Sequence, residues 1–198
     1  MTLEPAQTYG AATAESPVSA VSWAAIAAGA VVALSVTLIM LALGSGMGAA
    51  AVSPWANSGP SVTTFTALSA IWLVLTQWFS AAIGGYLTGR LRTRWTGTHT
   101  HEVFFRDTAH GLITWAVATA VMAGLAAFIA SSGAAAAAHA ASAAAPQAGD
   151  ATVTGQAVDA ARKATAAIAI CTALSMLVGA FVASVAAALG GQLRDQHP

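Results

Sequence analysis

Between Glu15 and Arg90 the chain carries no Asp, Glu, Lys or Arg, and the same gap recurs from Thr108 to Gly149 and from Ala164 to Leu193. A soluble surface needs charge scattered over every helix, so water is a poor solvent for these windows and lipid a good one. Charged residues make up 7% of the chain and hydrophobic ones 57%, against roughly a quarter charged in ordinary globular domains. Seven basic and seven acidic side chains cancel, which removes bulk attraction for nucleic acid. The single Cys171 cannot form an internal disulfide, a redox pair or a thiolate zinc site, and reads as a small apolar packing residue. The tail before Val18 has no Lys or Arg, so the first apolar run is expected to be an uncleaved anchor, not a signal peptide.

A membrane-crossing helix needs about 20 largely apolar residues. The first window holds two, separated by Ser53-Pro54-Trp55-Ala56-Asn57-Ser58-Gly59-Pro60, where two prolines combine with turn formers. The expected spans are 22–50, 62–88, 109–132 and 164–189, giving an all-α, integral-membrane four-helix bundle. Around them we expect an N-terminal tail over 1–19, helices one to three within 20–132, an Arg/His loop over 89–108, an Ala-rich loop over 133–158, helix four within 159–193 and a tail over 194–198. The Ala-rich part should extend helix three before Pro146 breaks it, and helix four should resume near Gln156, with Asp159 and Lys163 paired at i,i+4. Arg90, Arg92, Arg94, Arg106 and Arg194 fall on one side and only Arg162 and Lys163 on the other. The positive-inside rule then puts both termini and the Arg-rich loop in the cytoplasm.

Thr66-Ala67-Leu68-Ser69 through Gly89-Arg90-Leu91-Arg92 is echoed by Thr172-Ala173-Leu174-Ser175 through Gly191-Gln192-Leu193-Arg194. A 2+2 duplication of a helical hairpin accounts for this; chance similarity of Ala/Gly-rich helices is the alternative. Because lipid tails are as apolar as leucine, small residues spaced by four must supply close helix packing. They occur as Ala25/Gly29, Gly44/Gly48, Ala81/Gly85/Gly89, Ala120/Gly124 and the long stripe Ser175/Gly179/Ala183/Ala187/Gly191. Such a stripe packs either within the bundle or against another copy. Gly44-Ser45-Gly46-Met47-Gly48 lacks the lysine and preceding strand of a phosphate loop and reads as a packed or flexible helix end.

Trp23, Trp55, Trp95 and Trp115 are placed at span ends or in loops, where indole prefers headgroups; Trp72 and Trp78 lie deeper. No Asp, Glu, Lys, Arg or His falls at mid-span, which counts against proton pumps, ion-coupled carriers and voltage sensors. Thr76 and Gln77 are the most polar intramembrane candidates, read as interhelical glue or as the lining of a permeation or ligand site. His110 and His139 do not share a depth with a partner on another span, so no haem is expected, nor any other cofactor. His99, His101 and Glu102 are weak metal candidates, set against ordinary polar surface. Val103-Phe104-Phe105 beside Arg106 and Asp107 reads as an interfacial segment with rings in lipid and charges outward. With helix two continuing, Arg90 and Arg94 share a face, and with Arg92 and Arg106 they could hold anionic headgroups; plain positive-inside anchoring is the simpler alternative. No Ser/His/Asp set, carboxylate pair or nucleotide fingerprint is present, so no enzyme is expected.

Val52-Ser53-Pro54-Trp55, Gly84-Gly85-Tyr86-Leu87-Thr88-Gly89-Arg90-Leu91-Arg92 and Glu102-Val103-Phe104-Phe105-Arg106-Asp107-Thr108-Ala109-His110-Gly111 resemble a group of small, uncharacterised bacterial multi-pass membrane proteins. The resemblance covers roughly residues 18 to 130. Some relatives carry a PhnA-like label, yet the zinc-ribbon cysteines that name suggests are absent from this chain. The resemblance implies insertion in a bacterial inner (plasma) membrane and adds no activity. The expected role is structural or accessory, through contact with membrane lipids, a further copy of the chain or a membrane-protein partner; the alternative is a small oligomeric channel or carrier for an uncharged or weakly polar solute.

Overall fold

The computed structural model describes residues 20–53, 55, 58–94, 99–144 and 155–196. These form four helices, α1 (Trp23–Ala51), α2 (Val62–Leu91), α3 (Thr100–Ala144) and α4 (Gly155–Gln196). Each contains a stretch long and apolar enough to cross a membrane: Trp23–Ala51, Thr63–Leu91, Thr100–Gly133 and Ala169–Gln196. The molecule is an all-α bundle of a multi-pass membrane protein. Between α1 and α2 the chain turns where Ser58 donates from both its amide and its hydroxyl to the Trp55 carbonyl. Ser61 then caps α2, its hydroxyl accepting from the Thr64 amide at 3.2 Å and so satisfying one of the orphan donors of a helix start.

Two boundaries differ from the expectation. α2 runs through Leu91 and α3 already begins at Thr100, so the loop expected over 89–108 shrinks to residues 92–99. Arg90 lies on the last turn of α2 and Arg106 on α3, whereas Arg92 and Arg94 follow the end of α2. α2 then ends in extended backbone at Arg92, so Arg90 and Arg94 do not share a helical face. At the other end α3 reaches Ala144 and α4 starts at Gly155; Pro146 and the expected break around it lie outside the described residues. Asp159 pairs with Arg162 at 2.8 Å and with Lys163 at 3.2 Å, exposed bonds that add little stability.

α1 packs on α2 and α3 on α4, as sequential hairpins, and α2 lies directly against α4. Among the described residues α1 does not touch α4, whereas α2 does touch α3, so the two hairpins do not follow a strict twofold. Buried positions crowd toward the end where α2 and α4 finish: Ala25 to Ala33 on α1, Thr76 to Arg92 on α2, Asp107 to Thr114 on α3 and Ser175 to Gly191 on α4. Beyond Thr114, no described residue of α3 is buried. The bundle is tight at its Arg-rich end and splayed at the other.

Glycine makes the tight end. A Cβ built on Gly85 would collide with the Ala183 carbonyl, and one on Gly89 with the Ala187 carbonyl and, at 2.9 Å, the Gly191 nitrogen. These neighbours are backbone atoms and cannot rotate away. Gly111 of α3 meets the same Ala183 carbonyl, and Gly84 faces Gly29 and Ala33 of α1 at 2.8 Å. The stripe of α4 is therefore covered by α2 and α3 of its own chain. Gly124 is otherwise: a Cβ there would meet nothing within 4 Å, so the Ala120/Gly124 pair packs no neighbouring helix in the described chain.

Gly89→Ala should lower stability by at least about 1 kcal/mol, since α2 and α4 must separate to admit the methyl. Gly124→Ala should leave stability unchanged or raise it by up to about 1 kcal/mol, the helix-propensity gain without a clash. Unfolding in mixed micelles measures both, and equal losses at the two sites would contradict this packing.

Candidate functional site

Arg92, one residue past α2, has a fully buried side chain, and its guanidinium reaches Asp107 of α3 through Nε at 2.7 Å and Nη2 at 2.6 Å, both to Oδ1. Arg194 of α4 approaches the other oxygen, Oδ2, at 3.7 Å. Arg92 and Arg194 hold the same place in the two Gly-x-Leu-Arg segments, so the ends of α2 and α4 converge on one carboxylate from α3. Arg194 also donates through Nη1 to the carbonyls of Gly89 at 3.0 Å and Arg92 at 3.2 Å, capping the end of α2, and pairs with Asp195 at 2.9 Å. Arg94 donates to the carbonyls of Asp195 at 2.6 Å and Arg194 at 3.2 Å. Carbonyls at a helix C-terminus carry partial negative charge, and these guanidiniums answer it. Burial pulls the Arg92 guanidinium below its ordinary proton affinity, with Asp107 opposing that pull; it stays charged.

This corrects the expected lipid-headgroup set. Arg92 is sealed inside the bundle against Asp107, and Asp107 points inward where an outward charge was expected, because the helix start at Thr100 rotates it onto the face shared with His110, Gly111 and Thr114. Arg106 donates through Nε to Glu102 at 2.6 Å, on the flank of α3. Arg90 is exposed. Phe104 and Phe105 are exposed on the same turns. His101 and Glu102 are neighbours on α3 with His99 just before it; among the described residues no three metal-ligating side chains converge.

His110 sits one turn above Asp107 with 2% of its surface exposed. The Ser22 amide donates to its Nε2 at 2.9 Å, which leaves Nδ1 to carry the proton and donate to the Arg106 carbonyl at 2.6 Å. A neutral ring thus closes the start of α1 against α3, with no nitrogen left for a haem iron. Above it, the Thr114 hydroxyl donates to the His110 carbonyl at 2.9 Å, so the bond of 2.8 Å between the Thr88 and Thr114 hydroxyls takes its proton from Thr88, which has the Gly84 carbonyl at 2.9 Å as its other acceptor. Thr88 is fully buried and Thr114 1% exposed. This layer is the floor of the bundle.

Over the floor lies a cavity of about 500 Å³ lined by all four helices. Its wall includes Thr76, Gln77 and Trp115. Gln77 of α2 accepts from the Ser175 hydroxyl of α4 at 3.1 Å, the kind of interhelical bond worth ~0.6–2 kcal/mol in a membrane. Thr76 makes no such bond. Trp115, expected at headgroup depth, instead lies well inside α3, its indole nitrogen beside Gly179 together with the Gln77 amide nitrogen. The early start of α3 carries it there. A separate, apolar groove runs between α1 and α2, where the Trp72 indole crosses Gly44 to donate to the Met40 carbonyl at 3.0 Å, and Phe65 lies against Gly48. The composition pointed to Gln77 and the small stripe; Asp107, His110 and the Thr88–Thr114 pair were missed, because their role follows from helix rotation. The one signal in the chain was Asp107 and His110 spaced by three, on one helical face.

Asp107→Asn should cost on the order of 3 kcal/mol, by leaving Arg92 buried without a countercharge. The double variant Arg92→Met/Asp107→Leu should recover most of that loss, since an apolar pair removes the need for compensation. Unfolding titrations of the two variants test the coupling. Comparison with known proteins returns no matching family model, no matching curated protein and no matching solved structure.

Proposed function

We propose that this chain is a non-enzymatic structural or accessory protein of the bacterial inner membrane, acting through its lipid-facing helix surfaces on lipid or on a membrane-protein partner. The observation that carries this reading is the closed, ion-paired floor. Arg92 and Arg194 share the Asp107 carboxylate, Thr88 bonds Thr114, and glycine-mediated contact closes α2 on α4. Buried charge here ties helix ends together and leaves no displaced proton or ion to drive transport. The stripe most suited to self-association is already covered within the chain, which favours a different membrane protein over a second copy as the partner.

The Arg-rich end is proposed to face the cytoplasm, where Arg90, Arg94 and Arg106 sit beside anionic headgroups. In a Cys171→Ala background, Thr93→Cys should react with an impermeant maleimide only after permeabilisation, and Ser58→Cys from intact cells whose outer membrane has been opened. The reverse pattern would invert the topology.

A second reading, a small channel or carrier for an uncharged solute, draws on the hydroxyl groups of the cavity above the floor. Stopped-flow permeation of glycerol and urea into proteoliposomes separates the two. Rates equal to those of protein-free vesicles, together with a defined hetero-complex in native mass spectrometry of gently extracted membranes, are the accessory outcome. Faster permeation that Thr76→Trp abolishes would replace it with the transport reading.

A further inference from the structure

The arginines at the charged end are not equivalent. Arg92 and Arg194 share Asp107. Arg94 is taken up by the carbonyls of Arg194 and Asp195 at 3.2 and 2.6 Å, and Arg106 by Glu102 at 2.6 Å. Arg90 is exposed and, among the described residues, has neither a hydrogen bond nor an ion pair. The carboxylates described at this end, Glu102, Asp107 and Asp195, are each engaged by another arginine. One full positive charge is therefore left without an answer from the described chain.

Its position is suited to lipid. Arg90 is the penultimate residue of the apolar stretch Thr63–Leu91, so it stands at headgroup level while the turns before it lie in hydrocarbon. The backbone that carries it is held in place: a Cβ on Gly190 of α4 would collide with the Tyr86 carbonyl and come within 3.2 Å of the Arg90 nitrogen. Helical spacing puts Tyr86, Ile83 and Phe79 on the side of α2 that carries Arg90. Tyr86 and Phe79 are 39% and 54% exposed and Ile83 is half-buried. The charge thus stands at the end of an apolar stripe that no other part of the described chain covers.

We propose that Arg90 and this stripe form a docking site for one anionic glycerophospholipid, its phosphate on the guanidinium and an acyl chain along Tyr86, Ile83 and Phe79. The inference rests on the reading that the chain acts on lipid through its outer helix surfaces, and it names the lipid class. A guanidinium is always charged, and its planar fork matches a phosphate bidentately. A zwitterionic lipid brings its own ammonium, which competes for the phosphate and is repelled by the unpaired arginine. A soluble phosphate has no chain to lay on the stripe.

The test offers the full chain in detergent an equal mixture of phosphatidylglycerol and phosphatidylcholine with matched acyl chains, and reads the bound lipid by native mass spectrometry. A preference of about fivefold for phosphatidylglycerol is expected, the effect of one arginine beside an anionic headgroup. Arg90→Gln should bring the ratio close to one, and Arg90→Lys, which keeps the charge and loses the fork, should retain part of the preference. Arg162→Gln, near the opposite end of α4 from Arg194, should leave it intact. Excess glycerol 3-phosphate should not displace the lipid. Melting curves that match the parent show that the variants remain folded, and Arg90→Lys decides if Arg90→Gln does not fold. Equal binding of the two lipids, a ratio unchanged in the Arg90 variants, an equal fall in Arg162→Gln, or displacement by glycerol 3-phosphate each overturns the proposal. None of these readouts depends on which side of the membrane the charged end faces or on whether the protein has a partner, so this site and the accessory reading fail separately.

Discussion

Everything in this bundle depends on how closely α2 and α4 approach. In lipid the hydrophobic effect does not press helices together, because the alternative neighbour is equally apolar, so dispersion between backbones must do it. Gly85 and Gly89 allow that approach: each faces a carbonyl of α4 with no room for a methyl between. Gly111 brings α3 onto the same carbonyl of Ala183, and Gly84 brings α1 onto α2. The arrangement in space, with α2 against both α1 and α4 and with α3 touching α4, α1 and α2, follows from where these glycines lie.

The close approach has an electrostatic counterpart at its end. Two parallel helices finishing side by side bring two sets of unsatisfied carbonyls together. Arg194 and Arg94 donate to them, and Asp107 sits between Arg92 and Arg194 as the shared countercharge. The arginines that set topology in a membrane protein thus also close this bundle. Of the expected headgroup-binding residues, Arg92 is diverted entirely to that second role.

The polar groups divide by depth. From Arg92 to Thr114 they bond one another, and this half of the molecule is sealed. Past Gln77 and Ser175 the helices part around the cavity. The bundle thus has one tightly packed end and one open end.

The existence, number and rough limits of the four helices were legible in the sequence, because span length and apolarity are set by the solvent, and the solvent acts on each segment separately. The same holds for the clustering of arginine at one end. Gly89 and Gly124 could not be told apart that way: both follow a small residue by four, yet one touches backbone and the other touches nothing. Helices apolar on every side give no amphipathic signal for which face turns inward, so rotation about each axis was decided only by tertiary packing. That rotation buries Asp107 and Arg92, frees Arg90, carries Trp115 from the expected headgroup level into the cavity and covers the α4 stripe. Composition determined that this chain lives in a membrane as four helices; contact between their backbones decided which of its few polar groups bond one another across the bundle and which stay at its surface.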